Sequence, residues 1–261
     1  MANELIAAVA GAALAASAQS PPETPQPRLS GSFPVVELRQ YTLHKGQRDT
    51  LVNLFEREFI ESQEALGMKV IGTFTDLDRP DRFVWLRGFR NMDSRAAGLS
   101  AFYTGPVWQE HRDAANATMI DSDNVLLLHA PRPAAEFAPA PPRPALGQHA
   151  PSGLIVATIY YLKRPPAEAL AMFENELKPR LDRAGIAPLA WLRIEAAPNN
   201  FPRLPVREGE EVVAWFARFD SAADYDARKA AVDEAASPIL PLLDRPPEVL
   251  RLRPTARSEL R

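Results

Sequence analysis

The chain has 261 residues, of which 46% are hydrophobic and 24% charged, a composition typical of a globular protein with one large domain or two ordinary ones. The formal net charge of −3 argues against a nucleic-acid binder, because such proteins usually carry a basic excess. The sequence has no cysteine, which excludes disulfides, thiol nucleophiles and cysteine-ligated metals.

The first 32 residues are predicted to be a tail outside the fold. Residues 5–16 are small and apolar, and Ala16-Ser17-Ala18 has the small-x-small pattern of a signal-peptidase site. The preceding residues include Glu4 and no lysine or arginine, and the apolar run is too short to span a membrane. The location therefore stays open: periplasmic or secreted if residues 1–18 act as a signal peptide, and cytoplasmic otherwise. Residues 19–32 are rich in proline, which predicts disorder.

Residues 33–130 are predicted to fold as one α+β module. A β-rich strand at 35–43 precedes a helix with apolar residues at helical spacing, which ends near Gly67. Strands at 68–75 and 81–89 are separated by a short turn, and a helix interrupted at Gly105-Pro106 leads to a last strand at 125–128. The order β-α-β-β-α-β is that of the ferredoxin-like unit.

The same pattern returns at residues 152–254, which indicates a second, diverged module. Trp215 and Phe219 follow Trp85 and Phe89 at a constant offset of 130 residues (215 − 85 and 219 − 89). Phe173 follows Phe55 at a different offset of 118 residues (173 − 55). The offsets differ because residues are added between the matching segments, and these gaps fall in turns. The loop at 198–209 absorbs the difference between the two offsets.

The segments around the second module give three further expectations. Residues 131–151 hold seven prolines and no apolar period, which predicts a stiff, exposed linker. Pro179 lies inside a helical pattern and is expected to kink that helix or end it early. Residues 255–261 follow the last predicted strand as a C-terminal tail.

Several motifs of residues 35–130 together resemble the NIPSNAP family. They are Glu37-Leu38-Arg39-Gln40-Tyr41-Thr42-Leu43, Phe55-Glu56, Gly72-Thr73-Phe74, Trp85 and Arg95-Ala96-Ala97. The second copy is similar more loosely, because Ile155-Val156-Ala157-Thr158-Ile159 stands in place of the first strand motif. The resemblance implies the dimeric α+β-barrel superfamily, so that two tandem ferredoxin-like modules would form a pseudo-dimeric barrel within one chain. It implies no particular reaction, since relatives include cofactor-independent monooxygenases, dehydratases and haem enzymes.

Polar residues on two predicted strands are the candidate ligand-binding residues. Side chains alternate along a strand, so Glu37, Arg39 and Tyr41 share one face, and Trp85 and Arg87 share a face of another strand. Arginine offers a planar fork for a carboxylate, and tyrosine and tryptophan offer stacking surfaces, which favours a small aromatic or acidic ligand. The alternative is an ion pair with aromatic core packing between the strands.

Three positions on the predicted helices are also candidates. Arg95 lies near a helix N-terminus, where its charge is unfavourable, so it is expected to face Glu37, Glu56 or a ligand unless it is exposed. Trp108 and His111 are three residues apart on one helix face. His111 would be a catalytic base if that helix covers a pocket; otherwise it lies at the edge of a helix packed through Trp108.

The rest of the sequence has few motifs that are typical of metal or cofactor binding. The four histidines have no His-x-x-x-His or His-x-His spacing, and no glycine-rich phosphate loop is present, so neither a metal nor another cofactor is predicted. Three functions stay open: a binding protein for a small organic ligand or a protein partner, a cofactor-independent oxygenase or isomerase, and a purely structural interaction module. Whether the protein is an enzyme and whether it self-associates are not decided by the sequence.

Overall fold

The structure is a computed structural model that describes residues 29–261. The signal-like segment 1–18 and most of the stretch 19–32 therefore lie outside the described residues. No helix within 29–261 is long and apolar enough to cross a membrane. The described chain holds nine strands, and every pairing between them is antiparallel. The strands are β1 (Val35–Leu43), β2 (Lys69–Asp76), β3 (Arg82–Phe89), β4 (Met119–Asp121), β5 (Val125–His129), β6 (Leu154–Tyr161), β7 (Pro188–Ile194), β8 (Val212–Phe219) and β9 (Glu248–Pro254).

The helices follow the predicted order, with one feature that the apolar periodicity did not indicate. Two helical segments each contain a five-residue π turn, in which the helix widens locally. The helices are α1 (Arg48–Leu54), α2 (Ile60–Glu64), α3 (Met92–Thr104), α4 (Pro106–Asn116), α5 (Ala167–Met172), α6 (Lys178–Arg183) and α7 (Ala222–Ala236), and the π turns are Phe55–Phe59 between α1 and α2 and Phe173–Leu177 between α5 and α6.

Eight of the strands close into an antiparallel barrel. Their order is β3-β2-β9-β6-β8-β7-β5-β1, and β1 pairs again with β3, while the short β4 extends the sheet beside the end of β1. Two seams join residues 35–129 to residues 154–254: β2 pairs with β9, and β5 pairs with β7. The predicted α+β class and barrel are confirmed at this level.

Alternation along the strands divides their side chains between two layers. Leu38 and Leu86 from β1 and β3 belong to one buried apolar cluster with Ile155 and Leu252 from β6 and β9, so this cluster joins the two halves of the chain. The opposite faces of β1 and β3 are covered by α1–α4 and form a second cluster around Trp85. This second layer lies between sheet and helices, where the candidate residues meet.

Pro179 does not end its helix early, since α6 continues to Arg183. It lies in the first turn of α6, directly after the π turn Phe173–Leu177, where the missing N–H removes no essential hydrogen bond. The π turn Phe55–Phe59 has Glu61 at the corresponding position (179 − 118 = 61), so the wide turn does not depend on proline.

The linker 131–151 and the tail 255–261 are partly packed. Most of residues 131–151 are exposed, as predicted, but Ala135 is buried and the ring of Phe137 lies 5.0 Å from that of Phe216. In the tail, the Thr255 hydroxyl donates to Glu56 at 2.6 Å. The Arg257 backbone N–H donates to the same carboxylate at 2.8 Å. Both segments therefore contribute to the fold of the barrel.

Candidate functional site

The register between β1 and β3 brings the candidate strand residues together. Glu37 lies opposite Arg87, and Arg39 lies opposite Trp85. Antiparallel partners have Cβ atoms about 5 Å apart, so these side chains touch across the strands. All four are buried under the helices, with Trp85 2% exposed and the other three at 0%. The prediction that these residues share one face agrees with this arrangement.

A single carboxylate lies among three arginines at the centre of this layer. Glu37 Oε2 accepts from Arg39 Nη1 at 3.0 Å and from Arg87 Nη2 at 2.6 Å. Glu37 Oε1 accepts from Arg95 Nε at 2.8 Å. All four side chains are fully buried. We call Glu37, Arg39, Arg87 and Arg95 the charged cluster; one acid and three arginines leave it two positive charges in excess.

Electrostatics keep the cluster ionised. Burial alone would raise the pKa of Glu37, but the charges of Arg87, Arg39 and Arg95 outweigh it and hold that pKa far below its ordinary value. Burial lowers the pKa of Arg95, although Glu37 opposes the effect. Arginine stays charged in proteins because its ordinary pKa exceeds 12. The excess positive charge is therefore present at neutral pH.

The remaining donors of the cluster bind neutral groups. Arg87 Nη1 donates to Gln63 Oε1 at 2.8 Å, and Arg39 Nε donates to the Tyr41 hydroxyl at 3.0 Å. The guanidinium carbons of Arg39 and Arg87 lie 5.6 and 4.9 Å from the centre of the Trp85 ring. The indole Nε1 of Trp85 is buried and has no hydrogen-bond partner among residues 29–261. An unpaired buried N–H is costly and typically marks a site with a further role.

A cavity opens beside the cluster, between the sheet and the helices. Its narrow inner part, about 30 Å³, is lined by Trp85, Arg87 and Gln63 together with aromatic rings of the helices. An outer part of about 230 Å³ is lined by Arg112 and Arg203 among other residues. Both parts share four lining residues, which are Tyr41, Tyr103, Trp108 and Met119. We call the two parts together the aromatic cavity.

The lining of the aromatic cavity is aromatic and cationic. Among residues 29–261, arginine is its one charged residue type, with Arg87 at the inner end and Arg112 and Arg203 at the outer end, and no aspartate or glutamate of this part of the chain lines it. Burial raises the pKa of the Tyr103 hydroxyl, although Arg87 opposes the effect, so this phenol stays neutral at physiological pH. The cavity can stack an apolar body and bind a negative group.

Four of the six predicted site residues line the aromatic cavity, and two do not. Tyr41, Trp85, Arg87 and Trp108 line it. Arg39 lies behind Tyr41 and Trp85, which it contacts. His111 lies outside: its Nε2 is 3.5 Å from Glu58 Oε2, and its ring centre is 6.3 Å from that of Phe59. The histidine is therefore at the helix edge, beside the lining residue Phe59, and does not itself line the cavity.

The sequence pattern did not single out three residues that line the cavity. Tyr103 lies on the same side of α3 as the buried Phe102, and nothing in the spacing distinguished it from a core residue. Phe201 and Arg203 come from residues 198–209, far along the chain, and reach the cavity across the barrel seam. The unusual length of that loop was the signal that could have indicated them.

The corresponding layer of the other half has no charged cluster. In the β6–β8 pair, Val156 lies opposite Ala217 and Thr158 lies opposite Trp215, at the positions held by the pairs Glu37–Arg87 and Arg39–Trp85. The Trp215 indole N–H donates to the Tyr160 hydroxyl at 3.2 Å, and the ring packs 6.1 Å from Phe173. This strand pair therefore has no charged residue at these four positions. Within residues 29–261, no three histidine, aspartate or glutamate side chains converge to hold a metal ion.

Comparisons with known proteins agree with this geometry. A candidate monooxygenase from Lactobacillus acidophilus is 14% identical, with 86% of this chain and 97% of that chain covered and a TM-score of 0.53. An anthrone oxidase-like protein is 12% identical, with coverages of 88% and 96% and a TM-score of 0.55. At these identities the likeness shows the fold alone. No curated protein matches the chain.

The first half of the chain also matches a family. A NIPSNAP-like domain protein from Burkholderia xenovorans is 27% identical, with 41% of this chain and 90% of that chain covered and a TM-score of 0.35. The NIPSNAP family model matches residues 36–131, which contain all of β1 except Val35, the whole of β3 and all four residues of the charged cluster. We call residues 36–131, which this family model matches, the NIPSNAP domain.

Proposed function

We propose that the aromatic cavity binds a small, largely apolar organic anion, such as an aromatic carboxylate. The observation that carries this proposal is the charge of the site: three buried arginines share one glutamate, and no acid lines the adjoining cavity. Burying uncompensated charge is costly, so an excess of this kind favours an anionic occupant.

The contacts available to such a ligand follow from the lining. Arg87 has five N–H donors, and Nε, Nη2 and Nη1 each donate once to Glu37 or Gln63. Two N–H groups remain to bind a carboxylate at the inner end, which has room for one small group. The apolar body would stack against Trp108 and Tyr103, and Arg112 at the outer end adds positive charge.

The other half of the chain supports a functional origin for the cluster. Buried ion pairs contribute little net stability compared with apolar residues of similar volume. Val156, Thr158 and Ala217 occupy the equivalent layer, so this architecture folds without the charges. The arginines near Glu37 are better explained by ligand recognition than by the needs of the fold.

Calorimetric titration of the full chain with naphthalene-2-carboxylate tests this function. We expect binding, and at least about ten-fold weaker binding of the isosteric naphthalene-2-carboxamide, because the amide lacks the charge that Arg87 would bind. Ala115→Leu adds volume to the inner cavity wall and should abolish binding, whereas Ala114→Leu, exposed on the same helix, should not. Equal affinity for both probes would contradict an anion site, and no binding with stable self-association would favour the interaction module.

A second candidate function is cofactor-independent oxidation of a ligand in the same cavity. It is supported by the Tyr41 hydroxyl, which lines the cavity and accepts from Arg39, and by the fold likeness to a candidate monooxygenase and an anthrone oxidase-like protein. Anthrone in air is a direct probe, since O₂ would convert it to anthraquinone and water. Product formation above a heat-denatured control, reduced by Tyr41→Phe, would establish the activity. Its absence alongside carboxylate binding would leave the binding function.

We also propose that residues 33–130 and 152–254 are two copies of one ferredoxin-like module, joined by residues 131–151. The two π turns support this, because Phe55–Phe59 and Phe173–Leu177 lie at the same offset of 118 residues (173 − 55). Gly67 and Gly185 follow at that offset with φ of 82° and 71°. The arrangement corresponds to a pseudo-dimer within one chain.

A further inference from the structure

The loop between β7 and β8 is longer than its counterpart. Five residues (77–81) join β2 to β3, whereas seventeen (195–211) join β7 to β8. The ends of this loop are fixed: the Glu195 N–H donates to Leu127 O and the Arg207 N–H donates to Val125 O, both at 2.8 Å. The additional length therefore projects from the seam toward the NIPSNAP domain.

The tip of the loop covers the aromatic cavity. The Phe201 ring stacks on Tyr103 with ring centres 6.0 Å apart and planes inclined by 20°. Arg203 and Leu204 line the outer cavity. Asn200 Nδ2 donates to Met92 O at 2.6 Å, at the start of α3. The second half of the chain thus supplies part of the cavity wall of the first.

Arg95 connects this tip to the charged cluster. Its Nη1 donates to Asn199 Oδ1 at 3.0 Å and to Asn200 Oδ1 at 2.9 Å, while its Nε binds Glu37. The third arginine of the cluster is therefore held on one side by the acid and on the other by the loop. Any movement of the tip must break these contacts.

The tip can move without disrupting the barrel. Among the described residues, the backbone hydrogen bonds within 199–206 are local, such as Leu204 N–H to Phe201 O at 3.0 Å, and none joins a strand. Pro198 and Gly209, whose φ is 76°, flank the segment. Its contacts with the NIPSNAP domain are made by side chains of the tip, so they can be exchanged for solvent.

We infer that residues 199–206 form a movable cover over the aromatic cavity, which opens to admit the ligand and closes so that Phe201 and Arg203 contact it. This inference rests on the proposed function. Closure would place an aromatic ring and a guanidinium against the outer end of the ligand, and would select anions long enough to reach both Arg87 and Arg203. The cover would then determine specificity as well as access.

Hydrogen–deuterium exchange on the full chain tests the movement without a ligand. We expect the amides of 199–206 to exchange at least about ten-fold faster than those of β7 and β8, because opening the cover does not require the barrel to unfold. The double variant Asn199→Ala, Asn200→Ala should increase that rate further. Asn53→Ala, exposed on α1, is the matched control and should not. Exchange of 199–206 at the rate of the strands would overturn the inference.

Binding of naphthalene-2-carboxylate tests the contacts between the cover and the ligand. Phe201→Ala and Arg203→Gln should each weaken naphthalene-2-carboxylate about five-fold or more, and saturating probe should slow exchange of 199–206. Arg183→Gln, an exposed arginine of α6, should bind like the wild type. Wild-type binding that neither cover variant changes would overturn the cover and leave the proposed function standing. Failure of the wild-type chain to bind would overturn the proposed function itself.

Discussion

Glu37 holds together a group of charges that would otherwise repel one another. Its two oxygens bind Arg39, Arg87 and Arg95, and none of the four side chains is exposed. Because a buried charge without a partner is far more costly than an exposed one, the acid is the residue on which the stability of this layer depends most.

Glu37→Gln should therefore be strongly destabilising. Removing the charge leaves three buried arginines without a counter-ion, and breaking buried pairs typically costs about 3–5 kcal/mol. Urea unfolding followed by far-UV circular dichroism would measure the loss. Glu168→Gln, an exposed glutamate of α5, should change stability by less than about 0.5 kcal/mol.

Replacing all four residues of the charged cluster tests its role in stability separately from its role in ligand binding. The quadruple variant Glu37→Leu, Arg39→Met, Arg87→Met, Arg95→Met should be closer to wild type in stability than Glu37→Gln, because no unpaired charge remains. It should bind no naphthalene-2-carboxylate. A quadruple variant less stable than Glu37→Gln would show that the charges are needed for the fold.

The depressed pKa of Glu37 makes a prediction about acid. The folded-state pKa lies far below the ordinary value of 4.5, so the stabilisation from the ionised carboxylate is complete above pH 4.5 and is lost as pH falls below it. Urea midpoints measured from about pH 6 to pH 3 should decrease more steeply for the wild type than for the quadruple variant. Parallel curves for the two proteins would contradict this assignment.

For single residues, alternation along the strands predicted which side chains share a face. The three-residue spacing of Trp108 and His111 did not predict whether His111 lines the cavity. Arg39, Tyr41, Trp85 and Arg87 follow from a period of two. On a helix, three residues span about 300°, so His111 is turned about 60° away from Trp108 and faces Glu58. Two residues on one helix face can therefore differ in whether they line a small cavity.

Among the elements, the two π turns show that similar backbone geometry forms whether or not a proline follows the turn. Phe55–Phe59 and Phe173–Leu177 both begin with phenylalanine and share the Phe-Glu-x-Glu pattern, yet Pro179 follows the second and Glu61 takes that position after the first. Periodicity predicted a helix at both sites. It did not predict the wide turn.

Pro179→Ala should accordingly leave stability within about 1 kcal/mol of wild type, because the residue lies in a first turn where its absent N–H matters little. Thermal unfolding measures this. As a contrast, Ala230→Pro in the middle of α7 should cost about 3 kcal/mol. A large loss from Pro179→Ala would mean that proline shapes the π turn after all.

For the whole molecule, the internal repeat predicted two related halves, but not how they meet. Barrel closure depends on the β2–β9 and β5–β7 seams, which involve a few pairs such as Phe74↔Pro254 and Leu128↔Ile194. Short pairings between distant strands leave no pattern in the local sequence. For the same reason, the local sequence does not predict that Phe201 reaches the aromatic cavity across a seam.

The unlike halves predict the binding stoichiometry. A symmetric dimer has every site twice, whereas this chain has the charged cluster on β1, β3 and α3, and has Val156, Thr158 and Ala217 beside Trp215 on β6 and β8. Calorimetric titration should give one naphthalene-2-carboxylate per chain, with a hyperbolic isotherm. Two equal sites per chain would show that the apolar layer also binds.

The apolar layer of the second half has a consequence for how the sequence can diverge. A position that only fills space tolerates any side chain of similar volume, whereas a position that binds a specific charge tolerates few. Under the proposed function, substitutions would accumulate freely around Trp215 and be restricted around Glu37 and in the 199–206 cover. This difference is a sufficient reason for a family match that is confined to residues 36–131.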